Sequence, residues 1–172
     1  RCEKAIKLAE EGIKVALISS GESGFYGMAG LTLELIQKIK KEYRPYYEIH
    51  PGISSVQLAA ALGGAPLMND FCSISLSDKL TPWELIKKRI QGALWGDFVI
   101  AIFNPQSIER NWQLKTAIEL CLEFRSENTP VLIARQVGRE NQSKKFVTLN
   151  TISFQEVDML SIIIIGNSKT TL

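Results

Sequence analysis

Residues 97–105 read Asp-Phe-Val-Ile-Ala-Ile-Phe-Asn-Pro. The run up to Phe103 is apolar without polar alternation, the pattern of a strand buried on both faces of a parallel sheet. Asn104 ends the run, and Pro105 stops the hydrogen-bond ladder. Ile13–Ser19 (IKVALIS) reads the same way. Shorter apolar stretches at Tyr46–His50, Cys72–Leu76, Val131–Arg135, Lys145–Thr148 and Ser161–Ile165 complete the expected strands.

Helical patterns lie between them. Ala5, Ile6 and Ala9 share one helix face, with Gly12 where a C-cap would sit. Helices are expected over about Ala29–Lys41 and Ser54–Leu62, the latter following the Pro51-Gly52 turn. Thr81-Pro82-Trp83-Glu84 predicts a helix start in which Thr81 and Glu84 form a capping box and Pro82 takes the first helical position. Leu114, Ala117, Ile118, Cys121 and Leu122 form one buried helical stripe.

Strand and helix in alternation define an α/β fold. The best boundary is Gly63–Asp70, which divides the chain into lobes 1–69 and 70–172. The first lobe then holds only two strands, a thin sheet. The chain opens on Arg1, and the lobe is expected to be incomplete at its N-terminal end.

Composition narrows the function. In 172 residues, 45% are hydrophobic and 22% charged, which is globular and not disordered. Twenty Lys and Arg against eighteen Asp and Glu leave +2, too little for a nucleic-acid footprint. The longest aliphatic run, Ile162–Ile165, is far short of a membrane span. Cys2, Cys72 and Cys121 are widely spaced, so free thiols and a reducing, cytoplasmic setting are expected. One histidine, His50, leaves no metal-ligand set.

In open α/β sheets, ligands bind beyond the carboxyl ends of the strands. Four such ends carry unusual residues. Ser20-Gly21-Glu22-Ser23-Gly24-Phe25-Tyr26-Gly27 follows the Ile13–Ser19 run, with glycines that let backbone approach a ligand. Its G-x-x-G-x-x-G spacing is neither the dinucleotide nor the Walker pattern, and a plain tight turn accounts for it equally. Ser54 and Ser55 either cap the next helix or offer hydroxyls and amides to a ligand carboxylate. His50 reads as a structural residue sooner than as a base. Phe103 and Asn104 end the apolar strand. Arg135, Gln136, Val137, Gly138, Arg139 and Glu140 follow another, and guanidinium forks match carboxylates, though a solvated turn accounts for the stretch equally.

SSGESGFYGMAG, HPGISSVQLAAALGGAPL, ISLSDKLTPWE, FVIAIFNPQS and VDMLSIIIIGNS occur in that order. Together they resemble the tetrapyrrole (corrin and porphyrin) methyltransferases, over nearly the whole chain. Ile74–Glu84 and Asn104–Ser107 resemble most the branch that methylates carbon 17 of a precorrin. The resemblance implies the two-lobed α/β fold of the class III methyltransferases, with S-adenosylmethionine held in the cleft between the lobes. It also implies a GxGPG loop ahead of Arg1 and a homodimer.

The family's SGDPxxYG loop stands here as Ser20–Gly27, with Glu22 and Ser23 replacing Asp-Pro. Its Pro-Gly-[IV]-[ST]-[SA] motif is Pro51–Ser55, and Asn69-Asp70 replaces a common His-Asp. The implied cofactor residues are Gly21, Glu22, Ser23, Gly24, Phe25, Tyr26, Ser54, Ser55, Phe103, Asn104, Val137 and Gly138. Methyl transfer needs alignment more than acid–base groups. The associated ring contraction needs proton transfers, for which Asp70, Asp78 and Glu140 are available. Lys79, Arg110, Arg135 and Arg139 suit the carboxylates of the tetrapyrrole substrate. A sister methylase of another ring carbon, or a non-catalytic tetrapyrrole-binding fragment, stays open.

Overall fold

The computed structural model describes residues 1–107 and 110–171. The chain separates into two compact units, Arg1–Ser55 and Val56–Leu172. The division falls ahead of the Gly63–Asp70 stretch, so residues 56–69 belong with the second unit.

In the first unit, α1 (Cys2–Glu10) ends as expected at Gly12. Gly12 has φ +82°. Its N–H donates to Ala9 O, and Ile13 N–H donates to Leu8 O, both at 3.0 Å. These are the two bonds of a Schellman close, which needs a left-handed residue at this place. Helix α2 (Ala29–Gln37) stops short of Lys41. The Arg44 guanidinium donates to Gln37 O at 2.8 Å and Ile39 O at 2.9 Å, satisfying carbonyls that a longer helix would have used.

The two strands expected in this unit do not form among the described residues. Ile13–Ser19 and Tyr46–His50 are irregular, and Ile18 and Tyr46 are 78% and 85% exposed. An apolar run supplies strand propensity, but a strand exists only where a neighbour completes its ladder.

The second unit has that neighbour for each expected strand. It contains α3 (Ser55–Leu62) from its second residue on, β1 (Phe71–Ser75), α4 (Trp83–Trp95), β2 (Val99–Phe103), α5 (Trp112–Phe124), β3 (Pro130–Arg135), β4 (Ser143–Thr148) and β5 (Ser161–Ile165). The strand order is β1-β2-β5-β3-β4. Among the described residues only β1 and β2 pair in parallel; β5 is antiparallel to β2 and β3, and β4 to β3. The parallel sheet read from the apolar runs is therefore a mixed one. What makes β2 continuously apolar is cover on both faces, whichever way its neighbours run.

That cover comes from helices on either side. Ile100, Ile102, Val131, Ile133, Ile163 and Ile165 pack with Ile86 and Ile90 of α4 and Leu114, Ile118 and Cys121 of α5. The alternate residues Ala101, Leu132, Ala134, Ile162 and Ile164 pack with Val56 and Ala59 of α3. Ala101 and Ala134 leave room for α3 on this face, and Gly63 sits where a β-carbon would collide with the Leu132 side chain.

Helix α4 starts one place later than expected. Pro82 is its N-cap, with no side-chain capping bond, so the Thr81–Glu84 box does not form. Pro82 O instead accepts from Leu85 and Ile86 N–H at 3.0 and 3.2 Å. With the extended ψ of 139° at Pro82, Thr81 stands outside the first turn. All three cysteines are free thiols: Cys2 and Cys121 are buried and Cys72 half-buried.

Because β5 opposes both β2 and β3, strands β1, β2 and β3 all run the same way. Their carboxyl ends therefore share one edge of the sheet. At the opposite edge, the Arg125 guanidinium donates to Phe98 O and Gly166 O, tying the start of β2 to the end of β5.

Candidate active site

The shared edge gathers residues that the sequence scatters over 60 positions. The register sets Ala134 against Ile162 and, continuing Ile102 against Ile163, Phe103 level with Ile162 as well. The chain segments that leave β2 and β3 thus start level, two strand spacings or roughly 10 Å apart. Both leave through left-handed backbone: Asn104 has φ +49°, Gln136 +52° and Gly138 +73°. Two adjacent ends with a backbone conformation that costs non-glycine residues about 1 kcal/mol or more is a concentration typical of ligand sites.

Side chains hold this geometry. Asn104 Nδ2 donates to Ser75 Oγ at 2.9 Å, joining the ends of β2 and β1. Ser75 Oγ also accepts from Ser77 N–H at 3.2 Å. Gly138 N–H donates to Gln142 Oε1 at 3.1 Å, and a β-carbon at Gly138 would press on Leu58. Val137 and Phe103 pack against the core on the α3 side. Ser75 carries little signal in the sequence beyond being a polar residue near a strand's carboxyl end.

The candidate charges divide sharply. Arg135 binds Asp158 through both Nε and Nη2, at 2.9 and 2.8 Å, so its fork is already filled. Asp158 also receives the Ser161 hydroxyl and Leu160 N–H, each at 2.9 Å. Partial burial pushes its carboxyl pKa up, but these hydrogen bonds and the Arg135 charge outweigh it and hold it below 3.8. Arg110 is 9% exposed; its Nη1 donates to Leu76 O at 3.2 Å, and Nη2 meets Met159 Sδ at 3.4 Å. Asp78 is half-buried and accepts from Gln113 Nε2 at 3.0 Å. Lys79, Arg139, Glu140 and Asp70 are exposed.

In the first unit, the other two candidate stretches meet each other. Gly21, with φ +75°, lies under Ile53 and Ser54. A β-carbon on Gly52 would run into the Gly21 carbonyl oxygen and stand 3.0 Å from its carbonyl carbon. Ser23 Oγ donates to His50 O at 3.4 Å. The loop turns back on itself through Phe25 N–H to Glu22 O and Ala29 N–H to Ser23 O, at 3.2 and 3.1 Å. Phe25 and Tyr26 make an edge-on ring pair at 5.3 Å, with Tyr26 at φ +58°. Ser54 is buried, and Ser55 opens α3. His50 is exposed, with Nε2 3.6 Å from Glu48.

Within this unit, the glycine backbone and small hydroxyls offer peptide N–H and C=O groups to a polar ligand. Among the described residues, no cluster of His, Cys, Asp or Glu is arranged to hold a metal ion. No helix among them is long and apolar enough to cross a membrane.

This architecture and edge define a class. Residues 1–153 match the Tetrapyrrole (Corrin/Porphyrin) Methylases, and the chain belongs to that family. It is 48% identical over 170 residues to a protein of Salmonella typhimurium named "Probable cobalt-factor III C(17)-methyltransferase", covering 99% of this chain and 70% of that one. It is 38% identical to the "Precorrin-3B C(17)-methyltransferase" of Sinorhizobium sp, covering 99% and 67%. It is 46% identical to the "Cobalt-factor III methyltransferase" of Priestia megaterium, of which it spans only 32%. Among solved structures, the methyltransferase CobJ superposes with a TM-score of 0.94 at 35% identity, covering 99% of this chain and 72% of that one. The α/β fold of the family is thereby established over this chain.

Proposed function

We propose that this protein transfers a methyl group from S-adenosylmethionine to carbon 17 of a precorrin-3B-type macrocycle in cobalamin biosynthesis. The observation that carries the reading is 48% identity, over 99% of the chain, to a relative named for that carbon. The CobJ superposition supports it at the level of the backbone. Whether the natural substrate is precorrin-3B or its cobalt-bearing counterpart is the difference between the Sinorhizobium and Salmonella names. The higher identity favours the cobalt form. Contraction of the macrocycle in the same active site belongs to the proposal.

Bound S-adenosylmethionine supplies a sulfonium methyl that is already electrophilic. The protein's work is to align it with an electron-rich ring carbon and to exclude water. Gly21–Tyr26, Ser54 and Ser55 in the first unit, and Phe103, Asn104, Val137 and Gly138 in the second, are the proposed cofactor residues. Glycine backbone and small side chains among them suit close approach to a nucleoside donor, which supports the reading. The exposed Lys79 and Arg139 are the cations available to substrate carboxylates, since Arg110 and Arg135 already hold internal partners. Asp70, Asp78 and Glu140 are the proposed proton carriers. A cytoplasmic homodimer completes the proposal.

Calorimetric titration of the protein, expressed with all the residues its gene encodes, is expected to show binding of S-adenosylhomocysteine. NMR of the product from labelled donor is expected to place the methyl on carbon 17. No binding rejects the methyltransferase, and a methyl on another carbon assigns a sister activity. Sedimentation equilibrium reads the oligomeric state.

A further inference from the structure

We infer that Gln113 is a positioning residue for the reaction, holding Asp78 at the site edge as a proton-accepting carboxylate. The inference rests on the methyltransferase reading above and deepens it.

Gln113 lies in the first turn of α5 and is 1% exposed, a setting in which an amide needs both its ends paired. Only one end is. Nε2 donates to Asp78 Oδ2 at 3.0 Å, while Oε1 is buried without a partner among the described residues. Turning the amide over would bring its oxygen onto the carboxylate, acceptor against acceptor. The observed orientation is the one in which Asp78 Oδ2 accepts, and it is kept although it leaves Oε1 without a partner among the described residues.

The neighbouring Arg110 strengthens the case. It sits three residues before Gln113 and donates to Leu76 O, two residues before Asp78. The start of α5 is thus fastened at two points to the segment that leaves β1. That segment starts at the edge where Asn104 meets Ser75. Asp78 follows Ser75 by three residues of chain, and Gln113 holds it through Oδ2.

Asp78 has a task in the chemistry. The new C–C bond takes its electron pair from the macrocycle, and the C–S pair leaves with the sulfur. The macrocycle is left one positive charge richer and sheds a proton. Asp78 takes that proton and becomes the neutral acid, so charge and atoms balance without a further reactant.

The test compares three variants of the complete protein. Gln113→Met keeps the side chain's length and removes both the donor and the unpaired oxygen. Its kcat is expected to fall on the order of tenfold or more, with the KM for methyl donor and the melting temperature unchanged. Gln113→Glu can donate the same bond only while protonated, so its activity is expected to recover toward acid pH, where Gln113→Met does not. Asp78→Asn still accepts the bond but cannot take a proton, and its kcat is expected to fall at least as far. A Gln113→Met enzyme as fast as the parent overturns the inference, as does a loss that only follows the melting temperature. An active Asp78→Asn enzyme overturns it too, even if Gln113→Met fails to fold. S-adenosylhomocysteine titration on the same samples separates the two readings. A parent that binds and turns over beside an unaffected variant removes Gln113 alone; a parent that does neither removes the methyltransferase as well.

Discussion

Gly52 and Gly21 touch backbone to backbone: a β-carbon on Gly52 would collide with the Gly21 carbonyl oxygen and lie 3.2 Å from the Glu22 α-carbon. Two stretches separated by about thirty residues of sequence are joined there by the absence of one atom. Overpacking of this kind costs about 1–3 kcal/mol. Gly52→Ala is expected to lower the thermal midpoint and weaken S-adenosylhomocysteine binding, read by calorimetry on the same sample. Wild-type affinity in this variant would remove the Ser20–Gly27 loop from the cofactor site.

Asn104 combines a left-handed backbone with a side chain bonded to Ser75. Asn104→Gly keeps the backbone easy and deletes only the bond to Ser75, whereas Asn104→Leu adds bulk and strain of about 1–2 kcal/mol. The bulky variant is expected to lose cofactor affinity with its circular dichroism spectrum intact, and the glycine variant to keep most of it. Unchanged affinity in Asn104→Leu would take Asn104 off the site.

Asp97 and Asp158 both have carboxyl pKa values below the ordinary 3.8. For Asp97 the largest cause is the hydrogen bond from Ser168 Oγ, against opposing burial. A depressed folded-state value stabilises the native protein above the unfolded value and is lost as pH falls through the folded one. Melting temperature is therefore expected to hold down to about pH 4 and to drop below it. Asp158→Asn should flatten that acid limb, because the titrating carboxylate is gone. An unaltered acid limb in the variant would exclude Asp158 as a source of the dependence.

Burial raises the Cys72 thiol to about 11 and the Cys121 thiol to about 12, although the Arg125 charge pulls both down. A raised folded-state value stabilises below the unfolded 9.0 and is lost as pH climbs toward the folded values. Both thiols are therefore expected to resist iodoacetamide in the native protein at neutral pH and to react after unfolding. Stability should decline from about pH 9 upward. Rapid native-state alkylation of Cys121, located by mass spectrometry, would contradict its burial.

The two apolar runs IKVALIS and FVIAIF show where sequence reading reaches its limit. Both carry strand propensity. Val99–Phe103 has β1 on one side and β5 on the other, whereas Ile13–Ser19 has no strand partner among the described residues. Hydrophobic period reports what a segment prefers to bury, and ladder partners are a property of the assembled sheet. The same holds for strand direction, which a continuous apolar run does not encode. The strand ends were legible because a polar Asn or a Gly after an apolar run marks a ladder's end wherever the neighbours lie.

The residues at those ends, the unpaired state of the cysteines and the family itself were determined by sequence, through local chemistry and ordered motifs. Tertiary structure alone decided which charges are free. Arg135 and Lys79 look equally available in the chain, yet Asp158, 23 residues away, fills the guanidinium of Arg135, while Lys79 stays exposed. Gln113 and Asp78 are 35 residues apart and meet only because α5 packs beside the segment leaving β1. Pairings of this kind depend on distances of about 3 Å between remote elements, and one-dimensional patterns carry no such distances.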